Sequence, residues 1–299
     1  MIKHLVINGG GPTAFISYGV IRFLCQQDYL DMSSIQSIYA TSSGAVIAAL
    51  VSLKYDWNVL DDYIIKRPWD QVFQLQPEDF FNIFHTKGLF QFDMTREIFK
   101  HLLEAKDLSV DITLKELSEY NNIHLHFISL EINAFEKVNV SHITFPDITL
   151  IKAIEMSSAF PILFKPLFDD NDPEKCYVDG GIVDNYPLCT CIEEQKCEEN
   201  EVLGVKNVGG AFTEMNITND NNLLEFLQSS MYKIILHLHI KHSGKKSIKQ
   251  EVICECDTNM SNYYEWLEYI TNRNKREELI ELGVTFASNY LAEHCLGIL

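Results

Sequence analysis

Residues 34–44 read Ser-Ile-Gln-Ser-Ile-Tyr-Ala-Thr-Ser-Ser-Gly, and this stretch decides how the chain folds. Ser34 to Tyr39 has the length and composition of a β-strand. Ser43 to Leu53 has the small apolar composition of a buried helix. The stretch therefore predicts a strand, a tight turn at Ser42 and a helix.

The start of the chain repeats this order with a looser turn. Lys3 to Asn8 is largely apolar and stops at Gly9-Gly10-Gly11. Apolar residues then recur at helical spacing, at Ile16, Val20, Phe23 and Leu24. Alternation of strands and helices of this kind predicts an α/β fold with a mostly parallel sheet covered by helices.

The rest of the chain continues with both kinds of element. Further strands are predicted over residues 123–132, 137–142, 163–168, 176–178 and 202–208. Helices are predicted over residues 93–103, 148–157, 223–239 and 276–296, and the polar stretch 209–222 is predicted to be a mobile loop. We expect residues 1–200 to form a catalytic core. Residues 201–299 are expected to add a strand and a helical layer to the same domain.

The charge balance restricts the partners. The 299 residues carry a formal net charge of −18. Nucleic acid is not expected to bind, because phosphate contacts need a basic surface. Anionic membranes should repel the chain on average. A lipid contact must therefore be local and apolar, directed at neutral lipid, or guided by another protein acting as an activator.

Two further features bear on where the chain works. No stretch approaches the 18 apolar residues of a transmembrane helix, and the first residues do not resemble a signal peptide. The eight cysteines lack the spacing of a small disulfide framework and are interpreted as reduced thiols. We therefore expect a cytoplasmic protein.

The turn after the second strand carries the first chemical signal. Ala40-Thr41-Ser42-Ser43-Gly44 is one residue away from G-x-S-x-G, the nucleophile elbow. The elbow needs small residues two before and two after the serine, and Ala40 and Gly44 supply them. Helix capping by a hydroxyl is the competing interpretation of this turn.

The three glycines carry the second signal. Backbone amides in such a loop, with a helix start behind them, form an anion site. That site could cradle a phosphate or serve as an oxyanion hole, and a purely structural turn is equally open. The spacing matches neither G-x-G-x-x-G nor the P-loop pattern, which argues against a nucleotide.

A third motif makes the combination specific. Tyr177-Val178-Asp179-Gly180-Gly181 ends a predicted strand, and Asn185 and Pro187 follow it. With the glycine loop, the serine turn and the segment from Ser158 to Phe164, it resembles the patatin-like phospholipase family over about residues 1 to 190.

The resemblance implies a three-layer patatin-like fold and a serine–aspartate dyad without histidine. Ser42 is then the nucleophile and Asp179 its partner, and Gly9, Gly10 and Gly11 supply the oxyanion hole. The implied substrate is a phospholipid or another glycerolipid, reached by transient contact with a membrane surface. No cofactor and no metal are implied.

The chain also departs from the family pattern. Thr13 stands where the family usually has a basic residue, and Ala14 and Ala40 stand where it usually has glycine. The missing positive charge predicts a slower enzyme, an altered substrate choice, or an idle module that binds lipid or protein. A soluble-ester hydrolase or an acyltransferase with the same dyad is a further alternative.

Other residues suggest weaker alternatives. Histidines that follow Asp179 suggest a triad, and they are His237, His239 and His242. Cysteines that suggest zinc lack C-x₂-C spacing, and they are Cys189, Cys191, Cys197, Cys254 and Cys256. A dense group of phenylalanines is interpreted as core rather than as an acyl pocket or membrane contact, and it comprises Phe73, Phe80, Phe81, Phe84, Phe90 and Phe92. A basic cluster is interpreted as a solvated loop, and it comprises Lys241, Lys245, Lys246 and Lys249.

Overall fold

The computed structural model describes residues 1–90, 93–208, 217–242, 247–256 and 263–295, without the side chains of residues 239–242 and 295. The described strands are β1 (His4–Ile7), β2 (Ser37–Thr41), β3 (Gly88–Phe90), β4 (His124–Glu131), β5 (Glu136–Ser141), β6 (Ile162–Phe164), β7 (Leu167–Phe168), β8 (Cys176–Asp179), β9 (Val202–Val208) and β10 (Glu251–Glu255).

The described helices surround these strands. They are α1 (Ala14–Gln26), α2 (Ser43–Ser52), α3 (Trp57–Lys66), α4 (Trp69–Val72), α5 (Pro77–Thr86), α6 (Asp93–Glu104), α7 (Leu114–Asn121), α8 (Leu150–Ser158), α9 (Leu188–Gln195), α10 (Leu223–His242), α11 (Tyr263–Thr271) and α12 (Arg273–Cys295).

One mixed sheet forms the centre of the molecule. Its strand order is β10-β9-β1-β2-β4-β8-β7, and β5 also pairs with β4. The strands from β10 to β4 run parallel, whereas β5, β8 and β7 pair in antiparallel fashion. β3 and β6 form a separate parallel pair.

Side chains that alternate along the central strands fill two different cores. Leu5, Ile7 and Ile38 belong to the large core that α1, α2 and α12 complete. Val6 and Tyr39 belong to a smaller core shared with α9. Since both faces of the sheet are covered by helices, its central strands are apolar on both sides. The predicted three-layer fold with a mostly parallel sheet is confirmed.

One strand prediction was wrong in detail, and one strand was missed. The single strand predicted over residues 163–168 is two strands, because Pro166 between β6 and β7 lacks an amide proton for a ladder. β10 was not predicted at all, although Val252 and Cys254 are buried and Ile253 is exposed. Its alternation is short, and the strand lies at the end of the described sheet order.

The C-terminal part is built into the same sheet. β9 pairs with β1 and β10 pairs with β9, while α12 packs along α1. The division into a core of residues 1–200 and an added layer of 201–299 stays a prediction. Most of the predicted mobile loop, residues 209–216, lies outside the described residues.

Candidate active site

Ser42 occupies the sharp turn between β2 and α2. Its φ of 55° and ψ of −129° define a backbone conformation that residues other than glycine rarely adopt. A β-carbon at Gly44 would lie 2.6 Å from the Asn8 carbonyl oxygen, so glycine is required for the first turn of α2 to approach β1. The residue types of the turn therefore hold Ser42 in a strained position at the carboxyl end of the sheet.

The strand register brings Asp179 to Ser42. β2 runs parallel to β4 and ends with Thr41 opposite Ile128. β8 runs antiparallel to β4 and ends with Asp179 opposite Ser129, the next residue along β4. The ends of β2 and β8 therefore meet, and Ser42 Oγ donates a hydrogen bond of 2.6 Å to Asp179 Oδ2.

Asp179 is a buried carboxyl group, with 2% of its surface exposed. Its other oxygen, Oδ1, accepts the Gly181 amide proton at 2.7 Å. Burial raises the pKa of Asp179 to about 6, although the hydrogen bonds from Ser42 and Gly181 pull it back down. Above that pH the group is a carboxylate that can accept the Ser42 proton.

The glycine loop lies against the serine. A β-carbon at Gly9 would come within 2.9 Å of Ser42 Cβ, so the loop could not lie this close with a side chain there. Gly9 is held by Asn185, whose carbonyl oxygen accepts the Gly9 amide proton at 3.2 Å and whose Nδ2 donates to the Gly9 carbonyl at 3.1 Å. The amide of Gly9 is therefore turned toward Asn185.

The other two amides of the loop differ from that of Gly9. Gly10 N–H donates to Ser43 Oγ at 3.1 Å. Gly11 has a φ of 59°, and its amide donates to none of the other described residues. Gly10 and Gly11 therefore hold the amides that a ligand beside Ser42 could engage.

Thr13 takes a structural place in this loop. Its hydroxyl donates to the Gly10 carbonyl at 3.0 Å, and Asn207 Nδ2 donates to the Thr13 carbonyl at 3.2 Å. Ala14 is buried behind it. Within the described part of the chain, no lysine or arginine lines the cavity around Ser42. The positive charge missing from position 13 is therefore not replaced by another described residue.

Ser157 is a residue of the site that sequence reasoning missed. Its hydroxyl lies at the end of α8, accepts the Ser42 amide proton at 2.9 Å and donates to the Ile128 carbonyl at 2.6 Å. It therefore ties the backbone of the strained turn to β4. Ser157 adjoins the family-like segment that begins at Ser158, but nothing in the sequence distinguishes its hydroxyl from that of its neighbour.

A cavity of about 440 Å³ extends from Ser42. One part of its wall belongs to a group of buried residues that we call the aromatic cluster, which comprises Trp69, Phe73, Leu89, Phe90, Leu163, Tyr263, Trp266 and Ile270. Another part comes from α10, through Tyr232, Ile235 and Leu236. Asp179 is the one carboxylate in the lining that the structure describes. The space suits a mostly apolar ligand with one reactive polar group.

The weaker sequence alternatives have different outcomes. His237 is exposed on α10, and the side chains of His239 and His242 lie outside the described residues. Lys249 is exposed, while Lys241, Lys245 and Lys246 have no described side chains. Among the described histidines, cysteines and acidic residues, no group of three is arranged to hold a metal ion.

The predicted core role of the phenylalanines was correct for only some of them. Phe73 and Phe90 are buried in the aromatic cluster, and Phe73 also lines the cavity. Phe81 and Phe84 are exposed, so core packing was wrong for them. Phe92 lies outside the described residues.

Comparison with known proteins decides the family. The family described as "Patatin-like phospholipase" matches residues 5–191, which is more than half of the chain. The chain belongs to the patatin-like phospholipase family. Membership of this family supports lipid hydrolysis as the general activity of this patatin-like chain. The match contains the serine turn, the glycine loop and the Asp179 turn.

Individual relatives are distant. An uncharacterized protein of Acanthamoeba polyphaga mimivirus is 19% identical over 292 residues, which cover 95% of this patatin-like chain and 91% of the relative. A probable lipid hydrolase of Invertebrate iridescent virus 6 is 26% identical over 196 residues, which cover 64% of this chain and 63% of the relative.

A solved structure shares the fold. The crystal structure of VipD from Legionella pneumophila aligns with a TM-score of 0.57 at 15% identity, covering 98% of this patatin-like chain and 67% of that chain. In the part of this chain that the structure describes, no helix combines the length and apolarity needed to span a bilayer.

Proposed function

We propose that this protein is a lipid acyl hydrolase of phospholipase A type, in which Ser42 and Asp179 form the catalytic dyad. The observation that carries the proposal is the 2.6 Å hydrogen bond from Ser42 Oγ to Asp179 Oδ2 at the end of an apolar cavity. A strained serine beside a buried carboxylate is an arrangement suited to nucleophilic catalysis.

In the first half of the proposed reaction, Ser42 Oγ attacks the ester carbonyl carbon and passes its proton to Asp179 Oδ2. The tetrahedral intermediate collapses to an acyl-enzyme, and Asp179 returns the proton to the departing alcohol. In the second half, a water oxygen attacks the acyl carbon while Asp179 takes the proton from that water. The bond from the acyl carbon to Ser42 Oγ then breaks, and Asp179 returns the proton to Ser42 Oγ as the fatty acid leaves.

The oxyanion formed during each attack needs hydrogen-bond donors. The sequence predicted Gly9, Gly10 and Gly11 for this role. Because the Gly9 amide donates to Asn185, we assign the oxyanion hole to the amides of Gly10 and Gly11. Ser43 Oγ, which accepts the Gly10 proton in the resting protein, must then give way to the substrate oxygen. The D-G-G turn contributes through Gly181, which holds Asp179 in place.

The cavity supports a long apolar acyl group as the part of the substrate that is bound. It offers apolar walls from the aromatic cluster and α10, and its described lining has a single charged side chain at the reactive end. Burial of methylene groups on such walls supplies binding free energy of about 0.8 kcal/mol per group. A phospholipid or another glycerolipid fits these requirements.

Fatty-acid release tests the proposal. Wild-type protein should release fatty acid from phospholipid in mixed micelles, and Ser42→Ala should lose all measurable release. Ser52→Ala is the matched control, because Ser52 is a buried serine at the far end of α2, where its hydroxyl donates to the Ala49 carbonyl. Equal release by wild type and Ser42→Ala would remove Ser42 from the mechanism.

A catalytically idle module that binds lipid or protein is the rival favoured by one observation. The Gly10 amide is already bonded to Ser43 Oγ, and the family's basic residue is replaced by Thr13. A fluorophosphonate probe separates the two. If the dyad is active, the probe should label wild type and Ser52→Ala but not Ser42→Ala. If the protein is an idle module, the probe should label none of them. Competing soluble esters and alcohol acceptors against micelles distinguishes a soluble-ester hydrolase or an acyltransferase.

A further inference from the structure

Helix α5 presents phenylalanines on two sides. The helix has no buried residue, yet it contains three phenylalanines and an isoleucine. On its inner side Phe80 lies 5.8 Å from the Tyr263 ring, and Ile83 packs on the aromatic cluster. On its outer side Phe81 and Phe84 are 76% and 79% exposed. Two of the four large apolar side chains of α5 therefore face away from the protein.

Two other helices bring exposed apolar residues to the same cluster. Leu224 packs on the aromatic cluster at the start of α10, and its neighbours Leu223, Phe226 and Leu227 are exposed. Tyr264 is exposed at the start of α11. We call the exposed set the apolar rim, and it comprises Phe81, Phe84, Leu223, Phe226, Leu227 and Tyr264.

The apolar rim is continuous with the candidate active site. The aromatic cluster that anchors its three helices contains Trp69, Phe73 and Trp266, which also line the cavity. A β-carbon on Gly11 would lie 2.6 Å from Trp266 Nε1, so the α11 indole rests on the glycine loop. The aromatic cluster therefore lines the cavity that contains Ser42 and also anchors the helices that carry the rim.

Charge decides among the occupants of such a surface. The rim helices carry five acidic residues, Glu78, Asp79, Glu225, Glu265 and Glu268, against two lysines, Lys233 and Lys241 of α10. The whole chain has a formal net charge of −18. A second copy of the chain or an anionic membrane would bring like charges together. A lipid surface without net charge accepts exposed phenylalanines at the level of its headgroups and imposes no such repulsion.

We infer that the apolar rim docks the protein on a zwitterionic lipid surface, with the aromatic cluster between that surface and the cavity. The inference rests on the proposed function, because a phospholipid substrate resides in such a surface. Docking through the rim would place the wall of the cavity directly against the lipid from which the substrate leaves.

Vesicle sedimentation tests the docking separately from catalysis. In a Ser42→Ala background, which leaves the lipid intact, the protein should co-sediment with phosphatidylcholine vesicles. Adding Phe81→Ser and Phe84→Ser should lower the partition coefficient at least about tenfold, since each phenylalanine loses the burial of its ring. Because both side chains are exposed, the thermal unfolding temperature should not change.

A matched control removes exposed apolar residues elsewhere. Tyr120 and Ile143 are 48% and 70% exposed and lie near the amino end of β4, away from Ser42. Tyr120→Ser with Ile143→Ser should leave vesicle binding unchanged. Equal loss of binding in both double variants, or none in the rim variant, overturns the inference.

Two further arms test the chemistry of the occupant. At low ionic strength, binding to phosphatidylglycerol vesicles should be weaker than to phosphatidylcholine. Equal or stronger binding to the anionic vesicles overturns the inference. A change of oligomeric state of the rim variant in sedimentation velocity also overturns it, because the rim would then be a protein interface.

The outcomes for docking and for catalysis can be told apart. Rim-dependent binding without fatty-acid release by wild type refutes the proposed function alone. Fatty-acid release without rim-dependent binding refutes the docking alone.

Discussion

The aromatic cluster connects two regions: it lines the cavity beside the Ser42–Asp179 pair, which we call the corner, and it anchors the helices of the apolar rim. At the corner, polar groups are buried and hydrogen-bonded to one another: Ser42 to Asp179, Asp179 to Gly181, and Ser157 to Ser42. At the rim, the side chains of Phe81 and Phe84 are mostly exposed to water. A buried carboxylate costs stability, whereas a group of exposed apolar side chains marks an interaction site.

The largest effect should come from the carboxylate of the corner. Asp179→Asn keeps the shape of the side chain but cannot accept the Ser42 proton, so hydrolysis of a soluble ester should fall by about 10³-fold or more. Asp111→Asn, which removes an exposed carboxylate paired with Arg96, should leave the rate unchanged. Steady-state kinetics on both variants check the prediction. A small loss for Asp179→Asn would show that another group receives the proton.

Asp179→Asn, which should lower activity, should raise the free energy of unfolding at neutral and alkaline pH. The folded pKa of Asp179 is about 6, above its ordinary value of 3.8. The folded protein therefore binds this proton more tightly, and stability falls as pH rises from about 4 through 6. At pH 8, Asp179→Asn should be more stable than wild type by roughly 1–3 kcal/mol, and at pH 3.5 the two should agree. Urea unfolding at both pH values measures the difference.

The pH profile of the reaction should report the same group. Below pH 6 the protonated Asp179 cannot accept the Ser42 proton, so kcat/KM for a soluble ester should fall about tenfold per pH unit, to about a hundredfold loss at pH 4. Above pH 6, kcat/KM should become independent of pH. A half-point near pH 4 would mean that burial of Asp179 does not control the rate.

A smaller loss should follow when the backbone support of the corner is removed. Ser157→Ala deletes the hydroxyl that joins the Ser42 amide to the Ile128 carbonyl. Ser42 Oγ should then lose its alignment with the ester carbonyl carbon. We expect kcat to fall roughly 10- to 100-fold, with KM for a soluble ester little changed. Ser52→Ala, with its equally buried hydroxyl, should have no effect on kcat. Equal fluorophosphonate labelling rates for Ser157→Ala and wild type would contradict this role.

The smallest effect should be found at the rim itself. Phe73→Ala opens a cavity beside Trp69 and Trp266 and should lower the free energy of unfolding by about 3–5 kcal/mol. Phe81→Ala on the exposed side of α5 should change it by less than about 0.5 kcal/mol. Urea unfolding of the two variants sharpens the contrast, because a large loss for Phe81→Ala would mean that the rim is part of the core.

Sequence reasoning succeeded where the signal was local. The turn at Ser42, the glycine loop and the D-G-G turn each need particular small residues at fixed spacing, so they can be found without a structure. It failed for β10, where pairing with a strand distant in the chain decides the outcome, and it overlooked the local break at Pro166. Phe81 and Phe84 could not be separated from Phe73 and Phe90, because composition does not say which side of a helix is covered.

The sequence alone determined the α/β alternation and the elbow, since strand and helix periods and turn chemistry act over a few residues. Its resemblance to the patatin-like family supplied the candidate pair Ser42 and Asp179. The tertiary structure alone decided which partners the glycine amides have, that Ser157 holds the Ser42 backbone, and that Asp179 is buried enough for its pKa to rise. Each of these depends on contacts between residues far apart in the chain. The register of β2 and β8 on β4 creates those contacts, and no short stretch of sequence encodes that register.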